Sequence, residues 1–147
     1  MLGIDANILV YAADGSGGAK HVRCRQIMAA ALAAEQAFIP AQALAEFVWV
    51  RTRKQQRPLP ETLEFADTWR SLSRVAGYDA RDVATAAETA HRHTIMFWDA
   101  LIWAVCDRVG IAELVTEDFQ DGRRLGGVTF LNPFNSDNAT RLGLPRQ

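Results

Sequence analysis

Leu2-Gly3-Ile4-Asp5-Ala6-Asn7-Ile8-Leu9-Val10-Tyr11 opens the chain as an apolar run broken by one acid. Leu2 to Ile4 reads as a short buried strand whose carboxyl end delivers Asp5 and Asn7, and Ile8 to Tyr11 as an apolar helical turn beyond it. The run Asp14-Gly15-Ser16-Gly17-Gly18 then breaks the chain. Working outward, the alternation of strand and helix repeats. An Ala-rich helix is predicted over 19–36, with Val22, Ile27, Met28 and Leu32 at helical spacing, and a second strand over Ala37-Phe38-Ile39-Pro40. Strands separated by helices favour a central parallel sheet covered by helices on both faces, a three-layer α/β/α arrangement.

The same reading places helices over 41–55, 61–76, 80–93 and 99–109, with Pro58 and Pro60 marking a stop and a start and Gly110 a C-terminal cap. Arg51, Arg53 and Lys54 fall in the last turn of the first of these, where cations suit the helix dipole. Late strands are expected over 111–115 and 128–131, joined by a polar loop over 116–127. The expected core covers about 1–133 of a single domain, with 134–147 an irregular tail. There is no internal repeat and no low-complexity tract.

Composition bounds the function. The 147 residues are 49% hydrophobic and 22% charged, the range of an ordinary globular domain. Sixteen Lys and Arg against seventeen Asp and Glu give a net charge of -1, so no overall positive field announces a nucleic acid and any such contact is local. Cys24 and Cys106 form no C-x-x-C pair and read as small core side chains in a reducing compartment. The start lacks a basic region before its apolar stretch, and no apolar run is long enough to span a bilayer. A cytoplasmic protein with no membrane partner is the expectation.

Four acids interrupt or end apolar segments: Asp5, Glu46, Asp99 and Asp118. In an open parallel sheet ligands sit beyond the carboxyl ends of the strands, and Asp5 and Asp118 both follow strand-like runs. Each acid has an ordinary alternative. Asp5 could cap a helix or form an Asx-turn, Asp99 could be an N-cap, and Asp118 could be a solvated member of the acidic loop Thr116-Glu117-Asp118-Phe119-Gln120-Asp121-Gly122. Glu46 lies among Leu44, Ala45, Phe47 and Val48, and Arg51 at i+5 is poorly placed to pair with it.

Together, converging carboxylates would repel one another and lose hydration, a cost that a bound divalent cation offsets. Oxygen-only ligands select a hard ion, Mg²⁺ or Mn²⁺. His21, His91 and His93 have no metal-binding spacing with either cysteine and read as surface residues.

In order along the chain, Gly3-Ile4-Asp5-Ala6-Asn7, Gln42-Ala43-Leu44-Ala45-Glu46-Phe47, Phe97-Trp98-Asp99-Ala100-Leu101-Ile102 and Leu114-Val115-Thr116-Glu117-Asp118 resemble the PIN domain family, most closely its VapC-type toxins of prokaryotic toxin–antitoxin pairs. The resemblance spans the chain to about Pro133. It implies a metal-dependent endoribonuclease, usually dimeric, held inactive by a small cognate antitoxin protein. The family's acidic positions carry over onto Asp5, Glu46, Asp99 and Asp118, with Asn7 and Thr116 as polar helpers. Glu117 or Asp121 could share the work given to Asp118, and local arginines, Arg51, Arg53, Arg123 and Arg124, would serve RNA.

Two other readings stand beside it. A phosphatase of the haloacid dehalogenase type would use Asp5 as nucleophile, but Asn7 stands where a second Asp is expected. A non-catalytic module would use the acids for a structural ion or a basic partner. The aromatic residues Trp49, Trp69, Phe97, Trp98 and Trp103 occur at helical apolar spacing, which assigns most of them to core or dimer packing. An apolar face on the helix of Trp49 or on that over 61–76 is the expected antitoxin surface.

Overall fold

The computed structural model describes residues 1–145. Its elements, in chain order, are β1 (Leu2–Ile4), α1 (Ala6–Ala13), α2 (Gly18–Ala33), β2 (Ala37–Pro40), α3 (Ala41–Trp49), α4 (Leu59–Leu72), β3 (Arg74–Ala76), α5 (Ala80–His93), α6 (Phe97–Arg108), β4 (Glu113–Val115), β5 (Arg124–Leu125) and β6 (Val128–Leu131). The strands form one sheet in the order β3-β2-β1-β4-β6-β5, parallel throughout except for the antiparallel edge strand β5. Helices cover both faces, as the alternation of elements requires.

Strand order decides where a ligand can sit. The chain builds outward from β1 through β2 to β3, then crosses back through α5 and α6 to place β4 on the other side of β1. That reversal opens a crevice between the carboxyl ends of β1 and β4. The two strands are in register at Gly3 with Leu114 and at Ile4 with Val115, so Asp5 and Thr116 leave the sheet side by side. Packing around Gly3 is tight: a Cβ would lie 3.1 Å from Leu114 Cδ1 and 3.3 Å from Cys106 Sγ. Its absence lets α6, the helix of Asp99, settle close on the central strand.

Several boundaries differ from the sequence reading. The helix expected over 61–76 stops at Leu72: Ser73 is extended and its hydroxyl donates back to Trp69 O at 2.7 Å. Arg74–Ala76 then pairs with β2 as an edge strand, so tertiary pairing overrides the helical pattern. The polar loop over 116–127 contains the short strand β5, which hairpins onto β6. Helix α6 begins at Phe97, which puts Asp99 inside its first turn instead of at the cap.

The segment after β6 is made of turns, including a 3-10 turn at Ser136–Asn138, yet Ala139, Leu142 and Leu144 are buried in the core. It therefore packs instead of trailing, and only residues 146 and 147 of the expected tail lie outside the described residues.

Helix α3 ends in a wider π-turn over Val50–Lys54, closed by Gln55 N donating to Val50 O at 3.0 Å. The turn swings Arg51 into the protein, where it is only 1% exposed and pairs with Glu61 Oε1 at 2.7 Å and Gln55 Oε1 at 2.9 Å. This corrects the expectation that Arg51 meets RNA, because its charge is consumed inside the fold. Glu61→Ala leaves that charge buried with one neutral partner. It is expected to cost about 2–3 kcal/mol, read as a lower urea midpoint; an unchanged midpoint would show that Arg51 is hydrated.

Candidate active site

Four elements deliver the four acids to one cleft of about 210 Å³, lined by Asp5, Asn7, Glu46, Asp99 and Asp118 together with Tyr11, Val10 and Val50. Asp5 directly follows β1 and is the cap of α1. Its Oδ1 accepts from Ala6 N at 2.6 Å and its Oδ2 from the Thr116 hydroxyl at 2.7 Å. The capping alternative and the site role thus coincide in one residue. Thr116, fully buried, in turn accepts from Asp118 N at 3.1 Å. Asn7 Nδ2 donates to Asp118 Oδ2 at 2.8 Å and lies 3.4 Å from Asp5 Oδ2. Asn7 and Thr116 together bind the ends of β1 and β4 across the crevice.

Glu46 approaches from α3, its Oε1 held by Gln42 Nε2 at 2.6 Å. Gln42 also donates to Trp98 O at 3.0 Å, which ties α3 to the start of α6 beside Asp99. Sequence reasoning passed over Gln42. The i,i+4 spacing of Gln42 and Glu46 was the available signal.

The electrostatics are those of crowded anions. Burial pushes the Asp5 carboxyl up to about 7, with the charges of Asp118 and Asp99 adding to it and the hydrogen bonds from Thr116 and Ala6 working against it. Asp99 rises to about 6 through burial and then the charges of Asp118 and Glu46. Among the described residues none of the four acids forms an ion pair with Lys, Arg or His. Among the described residues no basic side chain lines the cleft.

The donor set fits a hard divalent ion. It offers carboxylate oxygens from four elements, no counter-charge, and Asn7 Oδ1 buried without a protein partner. Among the described residues, however, no three acids, histidines or cysteines are arranged so that they could hold an ion as they stand. The acids share a cleft but are spread over its walls, an arrangement that mutual repulsion favours.

The other expected site residues are elsewhere. Glu117 turns from the cleft to the Tyr11 hydroxyl and Lys20 Nζ, and Asp121 accepts from Asn132 N, Asn135 Nδ2 and Asn138 Nδ2 at 2.7–2.8 Å. Neither lines the cleft. Partial burial works to raise the Asp121 carboxyl, but these donors outweigh it and hold it below the ordinary range. Asp121→Ala is expected to cost about 2–3 kcal/mol by freeing the segment after β6, measured as a fall in melting temperature; no fall would make the asparagine contacts incidental. Arg53 and Arg124 are exposed, Arg123 is half-buried, and none of the three lines the cleft. Trp69 and Trp103 are core residues, whereas Trp49 and Trp98 are 54% and 58% exposed and are not.

With a mostly parallel sheet, a switch-point cleft and acids from four elements in place, the comparisons agree with the geometry. The PIN domain model matches residues 3–124, and the chain belongs to the PIN domain family. Among solved structures it is similar to VapC20 of Mycobacterium tuberculosis, described as a sarcin–ricin loop cleaving toxin, with TM-score 0.62 and 20% identity over 78% of this chain and 87% of that one. It is also similar to DNA-bound VapBC from Salmonella typhimurium, at 0.62 and 17% over 88% and 95%. A third, VapBC2 of Rickettsia felis bound to a promoter DNA fragment, gives 0.59 and 15% over 88% and 96%. At these identities the likeness shows the shared fold. A search of curated protein sequences returns no match.

Proposed function

We propose that this protein is an endoribonuclease dependent on Mg²⁺ or Mn²⁺ and the toxin of a toxin–antitoxin pair. The observation that carries the reading is the gathering of Asp5, Glu46, Asp99 and Asp118 on one cleft that, among the described residues, has no basic side chain in its lining. Such a set is unfavourable in isolation and suited to a divalent ion. Asp5, Glu46 and Asp99 would hold the principal ion, and Asp118 would help to hold a second or orient the attacking water.

Bound there, the cation supplies Lewis acidity toward water and positive charge toward the phosphodiester. The chain's own groups provide the alignment. Thr116 and the Ala6 amide fix both oxygens of Asp5, Asn7 ties Asp118 to it, and Gln42 orients Glu46. No histidine lines the cleft, so proton transfer from water falls to the carboxylates and solvent.

The toxin reading brings a homodimer and a small antitoxin protein, and with them a cytoplasmic location. Supporting it, the structure's likeness is to VapC chains, two of them in VapBC complexes. Exposed Trp49, Leu59, Leu63 and Leu72 on α3 and α4 supply apolar surface for a partner. Among the described residues no helix is long and apolar enough to cross a membrane.

The test is incubation of the purified protein with single-stranded and looped RNA in Mg²⁺, Mn²⁺ or EDTA. Cleavage that requires the cation is expected. RNA that stays intact with both ions would favour a binding module, and a trapped phosphoaspartate at Asp5 a phosphatase. Coexpression with the adjacent reading frame checks the partner: a short protein that co-purifies and suppresses cleavage is the expected result.

A further inference from the structure

Beside the acid cleft, a groove of about 980 Å³ runs between α2 and the segment that follows β6, with Lys20, Val22, Arg23, Phe134 and Asp137 among its lining. The two spaces share a wall. Tyr11 lines the cleft, its ring meets Phe134 edge-on at 5.9 Å, and its hydroxyl accepts from Lys20 Nζ at 3.1 Å.

Lys20 marks the junction. Its ammonium stands 4.6 Å from the Tyr11 ring centroid and 4.8 Å from that of Phe134, and pairs with Glu117 at 2.7 Å. These contacts fix its position, while 47% of the side chain remains open to a ligand. Arg23, three residues further along α2 and so on the same helix face, is steadied by Nε donating to Pro133 O at 2.8 Å.

We propose that this groove seats the RNA strand flanking the scissile phosphodiester, with Lys20 and Arg23 on backbone phosphates and Phe134 offering its ring to a base. The proposal rests on the nuclease reading above and deepens it by giving the substrate a path.

Three observations point that way. Among the described residues no basic side chain lines the cleft, so the chain's own charged hold on a polyanion lies outside it. Lys20 and Arg23 stand on the adjoining wall. At about 210 Å³ the cleft takes little more than the reacting phosphodiester, whereas the groove has the dimensions of a ligand site. Finally, cation and aromatic ring together are the combination that holds single strands without regard to sequence. Asp137, which also lines the groove, opposes a phosphate and supplies a control of opposite sign.

The experiment measures binding of a short labelled single-stranded RNA to the full chain by fluorescence anisotropy, in EDTA to prevent cleavage and across a salt series. Lys20→Gln combined with Arg23→Gln should weaken binding about tenfold or more. It should also flatten the slope of log K against log salt by about 1.4, from roughly 0.7 per phosphate contact. Asp137→Asn should tighten binding about two- to threefold. A photoreactive uridine in the same RNA should crosslink to the peptides of Tyr11 and Phe134.

Unchanged affinity and slope in the double variant, or crosslinks confined to the surface of Trp49 and Trp98, would overturn the groove while leaving the nuclease reading intact if the wild type still cleaves. Groove variants that lose a co-purified protein yet keep RNA affinity would assign the surface to that protein and equally overturn it. A wild type that neither binds nor cleaves RNA sinks both.

Discussion

Asp99→Asn is expected to reduce RNA cleavage about 100-fold or more while raising the melting temperature of the metal-free protein. The two effects have one cause. Asp99 stands half-buried among acids, and no protein group among the described residues donates a hydrogen bond to it. Its carboxyl, raised to about 6, is therefore a charged group held where charge is disfavoured. The full shift would correspond to about 3 kcal/mol, which solvent screening at a half-buried site reduces to about 1 kcal/mol.

Neutralising Asp99 recovers that cost. It forfeits roughly 0.5 kcal/mol of favourable interaction with the N-terminus of α6, so the net gain is small, about 1–3 °C for a chain of this size. Activity falls because a ligand and charge-organising group is lost from the site of reaction. An inactive variant that melts lower would indicate ordinary loss of structure, and a variant cleaving at the wild-type rate would remove Asp99 from the mechanism.

The second large effect concerns acidity. Asp5 and Asp99 have folded-state values of about 7 and about 6 against an ordinary 3.8, so the folded protein binds their protons more tightly than the unfolded chain does. Their contribution to stability is complete below about 3.8 and is lost as the pH rises through 6 and 7. Metal-free protein should thus lose stability between pH 5 and pH 8, on the order of 2–4 kcal/mol, mostly from the deeply buried Asp5.

Asp121 works in the opposite sense at lower pH. Its carboxyl is held below the ordinary range, so its contribution is present above 3.8 and disappears on further acidification, which places the optimum near pH 4. Saturating Mn²⁺ should restore stability at pH 8 and add little at pH 5, because protons compete for the same oxygens. Urea midpoints across this range, with and without the ion, measure the effect. A flat profile would mean that the acids are hydrated and do not interact.

How far the sequence could reveal the site follows from the range of the interactions involved. Asp5 and Thr116 were legible because each ends a strand, and parallel topology brings strand ends together without knowledge of any side-chain contact. Glu46 was legible because an acid among Leu44, Phe47 and Val48 conflicts with its own helix face. Arg51 was not: nothing local distinguishes it from Arg53, and only the π-turn and the distant Glu61 turn it inward.

The acidic loop misled for the same reason. Glu117, Asp118 and Asp121 look alike in sequence, and partners far along the chain sort them, with Asn7 retaining Asp118 at the cleft, Lys20 drawing Glu117 away and three asparagines claiming Asp121. Likewise, Val75 could extend a helix by its periodicity but is captured by pairing with Ile39. Trp49 and Trp98 repeat at apolar spacing yet face solvent, which periodicity alone cannot distinguish from burial.

The most direct test of the account is Mn²⁺ binding, followed by the electron paramagnetic resonance signal of the free ion, for the wild type and for Asp5→Asn, Glu46→Gln, Asp99→Asn and Asp118→Asn. Binding by the wild type at neutral pH, weakened about tenfold or more in folded Asp5, Glu46 and Asp99 variants, is the predicted result. Equal Mn²⁺ affinity in all five proteins, or none in the wild type, would contradict it.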